Sequence, residues 1–457
     1  RPFAVTFRIR RRAAWSDGVP VTSADAVFTW RTMLDPANRV ASRTPWDRVA
    51  TIRVGGPRRF TVVFKAPYAA WRDLFSPSGG NVLLPRHALS GRDFNTVWNR
   101  GGVIGTGPYV LSSYTPGQRL VLTPSPRYWN RSGSGGGPFV SRIVNVYLDG
   151  SATQRVQFEG GEVNFVAPPD FTLIPTFRAL PGTRVQAPPG VTWEHLEFNA
   201  QDPVLRDVNV RRAIASAVDR RELISVSTRG EALPLDSFLV PQQRPYFRPS
   251  WAGVGPDPAA VDRYLRTAGY IRNGAGFYAK DGRELTVEVA AIAGNQTRRN
   301  NLTLMQAQLQ RVGIRMRPRL LANLYAPDGP LYSGRYQIAE VAYSASADPS
   351  VTNIFRSDQV PSSRNGFSGQ NTFRYADPQL DRLLNAADRT IDVAGRAALM
   401  HRIQDRVRDR MVLLPLYQWR DFVAYRANLR GVRVNPTAVS HYDFTQGWWF
   451  VGGRAAR

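Results

Sequence analysis

The chain has 457 residues, too many for one compact core of ordinary size, so two or three domains are expected. Its content of 43% hydrophobic and 11% aromatic residues belongs to a globular protein, no apolar run reaches the roughly 18 residues that would span a bilayer, and the absence of cysteine excludes disulfides, thiolate metal sites and cysteine nucleophiles. The formal net charge of +25 is nearly all arginine, Lys65 and Lys280 being the only lysines, and no basic run exceeds Arg8 to Arg12, which favours a dispersed solvated surface, compatible with an anionic neighbour, over a nucleic-acid-binding stripe.

Taken in order, Phe3, Val5, Phe7 and Ile9 alternate with polar or small residues, the period of a strand with one buried face. Asp17-Gly18 is turn chemistry, and Pro20 forbids continuing a paired central strand. Thr22 with Asp25 three residues on predicts a helix start of capping-box type, with Val27, Phe28 and Leu34 following at near-helical spacing. TVVFKAP at 61–67 reads as a strand and SGSGGG at 132–137 as a loop tip. In the stretch 207–224, Val210, Ala213, Ile214, Ala217 and Val218 line one helical face opposite Arg211, Arg212 and Ser216, and Asp219 with Glu222 can cap a following helix. Next comes LTVEVAA from 285. A helix striped by Leu302, Met305, Leu309 and Val312 follows and ends at Gly313, and IRMRPRL resumes as a strand, so this is a β-α-β unit whose strands should be parallel. Asp377-Pro378 opens a helix carrying Leu380, Leu383, Leu384 and Ala387, and a second helix striped by Met400, Ile403, Val407 and Met411 is closed off by Pro415.

Catalytic motifs are scarce. His87, His195, His401 and His441 are isolated, no zinc-protease or nucleophile-elbow pattern occurs, and Gly105-Thr106-Gly107 runs into Pro108 rather than into a dinucleotide-binding helix. Carboxylates meeting across a cleft keep a glycosidase-like hydrolase as a cross-class alternative, beside a basic nucleic-acid-binding protein. Steep loss of binding with salt would mark the latter, and turnover the former.

Four separated segments share one resemblance. TFRIRRRAAWSDGVPVTSADAVFTW, GTGPYVLSSYTPGQRLVLTPSPRYWN at 105–130, EFNAQDPVLRDVNVRRAIASAVDRRELI with Asn199, Asp207, Val210, Arg211, Ala213 and Asp219, and AVDRYLRTAGY at 260–270 resemble, in order, hallmark segments of the large extracytoplasmic solute-binding proteins of peptide, oligopeptide and nickel ABC importers, family 5. The resemblance implies an α/β fold, a two-lobed periplasmic-binding-protein-like clamshell of type II with an extra N-terminal subdomain. Residues 1–103 would form that small subdomain, 104–236 plus 419–457 lobe I, and 237–418 lobe II, with hinges near Ala232-Leu233-Pro234 and Pro415-Leu416-Tyr417. It further implies that the chain starts inside the small subdomain, after an export signal, often a lipid-anchoring cysteine, and the family's first strands, leaving the strand at Phe3 to Ile9 an unpaired edge.

The implied function is capture of a peptide or peptide-like ligand between the lobes for delivery to an ABC permease, by an extracytoplasmic monomer in the periplasm or, where lipid-anchored, on the outer face of the cytoplasmic membrane, without cofactor, metal, nucleic acid or chemistry on the ligand. Nickel chelates, glycosides and other small solutes are the alternatives within the family. In peptide-binding relatives a W-x-x-D pattern ahead of an Asp/Glu-Pro supplies a carboxylate for the peptide's α-ammonium group. Here the loop is YSASADPS: Tyr343 stands at the Trp position, and Ala345 or Ser346, depending on a one-residue gap, where the Asp should be. Neither carries charge, and a buried ammonium without a counter-ion is costly. Asp348 could substitute or could keep the structural role ahead of Pro349. Tyr343, Ser344, Ser346, Asp348 and Tyr417, with Trp193 and His195 from a strand that reaches the cleft in relatives, are the candidate ligand-binding residues, with core packing as the alternative for Tyr343, Tyr417, Trp193 and His195.

Overall fold

The structure is a computed structural model that describes residues 2–76, 80–167, 170–346, 348–435 and 443–453. Its contacts divide into two compact units, one of Arg1–Pro169, Leu173–Pro188 and Asp421–Arg457, the other of Asp170–Thr172 and Pro189–Arg420.

The first unit opens with β1 (Ala4–Arg8), β2 (Val49–Gly56) and β3 (Arg59–Phe64), an antiparallel sheet in the order β1-β3-β2. The alternation of β1 works as its sequence suggests: Phe7 stacks on Phe60 at 5.2 Å, directly across the ladder, and both meet Phe75 edge-on. Between β1 and β2 lies the helix Ser23–Leu34. Thr22 donates its N–H to Asp25 Oδ2 at 2.8 Å, and Asp25 Oδ1 accepts from the Arg86 N–H at 2.9 Å, so the expected cap also ties down a distant segment. A meander of β4 (Tyr109–Thr115), β5 (Arg119–Pro124) and β6 (Ile143–Val146) follows, then β7 (Phe165–Val166) and β8 (Thr183–Gln186).

The second unit is organised by a six-stranded sheet. Its strands are β9 (Pro189–Phe198), β10 (Leu233–Pro234), β14 (Thr286–Ile292), β15 (Arg315–Leu321), β16 (Ile338–Ser344) and β17 (Leu413–Arg420), in the order β10-β17-β9-β16-β14-β15, while β11 (Ile271–Arg272), β12 (Tyr278–Lys280) and β13 (Arg283–Glu284) make a small separate sheet. β14 and β15 are parallel, Thr286 facing Arg315 through to Ile292 facing Leu321, with the helix Gln296–Arg311 between them, as the β-α-β reading requires. Val287, Val289, Ala290 and Ala291 of β14 are all buried, the pattern of a parallel strand covered on both faces. The chain then returns to the first unit, where β18 (Val423–Arg426) inserts between β7 and β8 and β19 (Leu429–Arg430) pairs with β20 (Trp449–Phe450).

Local differences from the sequence reading have physical causes. The division between units falls at Pro188-Pro189 and Arg420-Asp421, where the sequence reading placed it near 236–237 and 418–419. β9 is paired along one side by β16 and along the other by β17, so it cannot leave their sheet. The two segments read as hinges pair with each other inside the second unit, Leu233 facing Gln418 and Pro234 facing Tyr417. The helix Val393–Arg410 stops at Met411, which takes left-handed φ of 42°, and Pro415 lies within β17. Beyond Asp219 the helix Arg220–Glu222 widens into a π-helical turn over Leu223–Ser227.

Asp421, where the chain re-enters the first unit, is buried, and its Oδ2 has no hydrogen-bond partner among the described residues. Burial raises its pKa from 3.8 to about 7. The folded state therefore holds a proton that the unfolded chain releases, and stability falls as pH rises from about 4 through about 7. Asp421→Asn removes that dependence: chemical denaturation at pH 5 and pH 8 should show the variant gaining on the wild type by on the order of 3 kcal/mol at the higher pH. Equal gain at both pH values would contradict the shifted carboxyl.

Candidate functional site

β9 carries Trp193, Glu194, His195 and Glu197 through the centre of a sheet, and all four are buried. Because side chains alternate across a strand, these residues sort onto two faces.

One face holds Trp193, His195 and Glu197. The Trp193 and His195 rings stack at 4.2 Å, and Tyr343, facing Trp193 across the β9–β16 ladder, packs against His195 at 4.9 Å. Glu197 gathers the polar ends: its Oε2 accepts from Thr372 Oγ1 at 2.6 Å and from the Tyr336 hydroxyl at 3.3 Å, and its Oε1 lies 3.3 Å from His195 Nε2. The Tyr343 hydroxyl reaches Thr372 Oγ1 at 2.9 Å. Burial first, then the charge of Glu197, holds the Tyr343 and Tyr336 hydroxyls well above the usual phenol range.

The opposite face is an ionic network. Arg298, in the first turn of the Gln296–Arg311 helix, donates Nε to Glu194 Oε1 at 2.7 Å and a terminal nitrogen to the Tyr325 hydroxyl at 2.7 Å, while Trp419 Nε1 donates to Glu194 Oε2 at 3.0 Å. Asn301, one turn further along the helix, donates to Glu340 Oε1 at 2.6 Å and to the Tyr417 hydroxyl at 2.9 Å. Burial pushes the Glu340 carboxyl well above the usual range and the adjacent Glu194 adds to it, Arg298 only partly opposing. Burial acts to lower Arg298, but Glu194, Tyr325 and Glu340 outweigh it and keep the guanidinium charged. Arg298 pairs directly with Glu194, and the upward push on Glu340 favours its uncharged form, which keeps uncompensated charge in the buried cluster low.

β14, β15, β16 and β17 all end on the same edge of the sheet, the edge where parallel α/β sheets bind ligands. Tyr325, Trp419 and Ser344 sit there. Tyr325 and Ser344 are exposed and Trp419 is half-buried, so this edge places an aromatic and hydroxyl surface over the Glu194–Arg298 pair.

The seven sequence-derived candidates divide. Trp193, His195 and Tyr417 lie in the interior, Trp193 stacked on His195 and the Tyr417 hydroxyl bonded by Asn301. Tyr343 is half-buried beside them. Ser344 is exposed, with its hydroxyl 3.1 Å from Thr192 Oγ1, and Ser346 is half-buried, its hydroxyl donating to the Asp348 carbonyl and its own carbonyl accepting from Gln243 at 3.0 Å. Asp348 forms a two-pronged ion pair with buried Arg396, at 2.5 and 3.0 Å. Glu194, Arg298, Tyr325 and Trp419 were missed. The signal for Glu194 was present, since three ionisable residues in a strand between Trp193 and Phe198 cannot all point to solvent. Arg298 had none, being one arginine of a helix whose polar face carries several. His87 pairs with Asp17 at 2.6 Å, His401 lies 3.2 Å from the Pro245 carbonyl, and His441 is outside the described residues.

The family model for bacterial extracellular solute-binding proteins, family 5 (middle), matches residues 3–361. The chain is 26% identical over 459 aligned residues to the oligopeptide-binding protein OppA of Mycobacterium tuberculosis, covering 97% of this chain and 73% of that one. Among solved structures, the oligopeptide-binding protein AppA of Bacillus subtilis in complex with a nonapeptide superposes with a TM-score of 0.83 at 19% identity, covering 98% of this chain and 87% of that one. NikZ of Campylobacter jejuni in complex with Ni(L-His) gives 0.83 at 18%, covering 98% and 88%. These likenesses show the fold, and the two-lobed α/β class implied by the sequence resemblance is borne out.

The Asp348 geometry predicts a stability phenotype. Asp348→Asn leaves Arg396 buried without its counter-charge, and denaturant unfolding should show a loss of about 3 kcal/mol. An unchanged midpoint would mean that the carboxylate is free for another partner.

Proposed function

Because the chain belongs to the bacterial extracellular solute-binding proteins of family 5, we propose that it is the solute-binding component of an ABC importer and captures a peptide or peptide-like ligand for a membrane permease. The observation that carries this reading is similarity along 97% of the chain to an oligopeptide-binding protein. The bound nonapeptide in a structure of the same fold supports it. The protein works as a monomer outside the cytoplasmic membrane and does no chemistry on its ligand. No helix among the described residues is long and apolar enough to cross a membrane.

The ligand-facing loop supports a particular form of peptide recognition. Ala345 and Ser346 carry no charge, and the carboxylate of Asp348 is committed to Arg396. Selection of the peptide then rests on its backbone and side chains rather than on its amino terminus.

Two measurements test this. A library of short peptides screened by thermal shift should contain ligands that stabilise the protein by mass action, about 2.7 kcal/mol at a hundredfold excess over Kd; nickel chelates or oligosaccharides shifting the melting temperature where no peptide does would reassign the solute. For a peptide that binds, Nα-acetylation should change affinity little. A loss of about 2 kcal/mol or more, the range for unpairing a buried charged hydrogen bond, would show that a carboxylate reads the ammonium group after all.

A further inference from the structure

We infer that a cavity of about 370 Å³ in the second unit, lined by Arg212, Arg263 and Arg408, is a binding site for a small dissolved oxyanion bearing phosphate or carboxylate groups. It lies where the helices Val208–Ala215 and Val393–Arg410 end and the helix Pro258–Thr267 begins. The Val393–Arg410 helix is followed, after Met411 and Val412, by β17, so the cavity sits near the start of that strand, and the surface of Tyr325, Trp419 and Ser344 sits at the opposite edge of the sheet.

Three guanidinium groups converge here with too few anions between them. Arg212 and Arg263 approach the same ring, that of Tyr264, at 5.9 and 5.1 Å, and neither forms an ion pair with a carboxylate among the described residues. Arg212 uses one N–H on the Asp409 carbonyl at 2.6 Å, which leaves four of the five donors of its fork. Arg408 Nε lies 3.1 Å from Oδ1 of its neighbour Asp409, which also lines the cavity, but the contact is not aligned as a hydrogen bond and that carboxylate is more than half exposed. Asp257 also lines the cavity, with its Oδ1 engaged by the Ala260 N–H at 3.0 Å as the cap of its helix. Ser216 adds a hydroxyl to the wall.

A fourth guanidinium beside the cavity adds positive charge, against the partial negative charge of the two helix C-termini that end there. Next to Arg212, the buried guanidinium of Arg211 is held by the carbonyls of Leu205, Arg206, Arg410 and Met411, with no carboxylate among its hydrogen-bond partners. Its pKa falls to about 10, from burial above all and also from Arg212 and Arg410. An oxyanion in the cavity would offer several acceptor oxygens to unfilled planar donors, the geometry in which arginine binds phosphate and carboxylate best.

The test uses the whole chain, titrated calorimetrically with inorganic phosphate and separately with citrate, at ionic strength held constant by sodium chloride. Saturable binding of either anion is expected. Arg263→Gln, whose side chain makes no hydrogen bond among the described residues, should weaken it at least tenfold, about the effect of one lost charge-assisted hydrogen bond. Arg212→Gln should weaken it as much, and its melting temperature without anion shows whether loss of the bond to Asp409 has also disturbed the fold. Peptide affinity should be unchanged in Arg263→Gln, which separates failure here from failure of the solute-binding reading. Heats no larger than those of chloride alone, or Arg263→Gln binding like the wild type, would overturn the proposal.

Discussion

A carboxylate in the middle of a six-stranded sheet loses its water, at a penalty of several kcal/mol, unless a cation and further hydrogen bonds replace it. Glu194 is such a group, and Arg298 with Trp419 supplies the replacement. This requirement fixes more than one contact. It sets the rotation of the Gln296–Arg311 helix on the sheet, because Arg298 and Asn301 must both face inward to meet Glu194 and Glu340. It also joins β17 to β9 through side chains as well as backbone, since Trp419 and Tyr417 complete the same network. The other face of β9 is bound in a similar way by Glu197, whose partners Tyr336 and Thr372 come from distant parts of the chain.

The polar core sits beneath the sheet edge where a ligand would be expected, so its rigidity bears on recognition. Positioned side chains lose little further entropy on binding, and Tyr325 and Trp419 are each anchored by a charged group below them. The loop at Ser344 to Asp348 follows the same logic in reverse. Its acidic residue is drawn away from the surface by Arg396, leaving hydroxyls and backbone at the edge.

Arginine explains itself differently in different places. Several guanidinium groups serve as multiple donors to backbone carbonyls that helix ends and loops leave without partners: Arg211 holds four such carbonyls, Arg220 reaches those of Leu235, Pro415, Trp251 and Val254, and Arg426 reaches those of Phe158 and Glu159. Lysine could not replace them, because a single ammonium has no planar fork. Part of the +25 charge is therefore structural, a by-product of using arginine to satisfy backbone, while the cluster around Tyr264 has no such use for most of its donors.

The sequence by itself determined what local chemistry controls. The alternation in Phe3 to Ile9, the Thr22–Asp25 cap, the parallel β14 and β15 with their intervening helix and the Asp377-Pro378 helix start all depend on residues near in sequence, and the hallmark segments are themselves local turns and caps. Tertiary structure decided the rest. β9 could be read as a strand but not as the partner of β16 and β17, which lie more than a hundred residues downstream, so the extent of the second unit was not legible. For the same reason the choice between ligand contact and core packing for Trp193, His195 and Tyr417 was open in the sequence, and Arg298 was indistinguishable from its neighbours until the helix packed it on Glu194. Burial is a property of what covers a residue, and the covering segments here come from far along the chain.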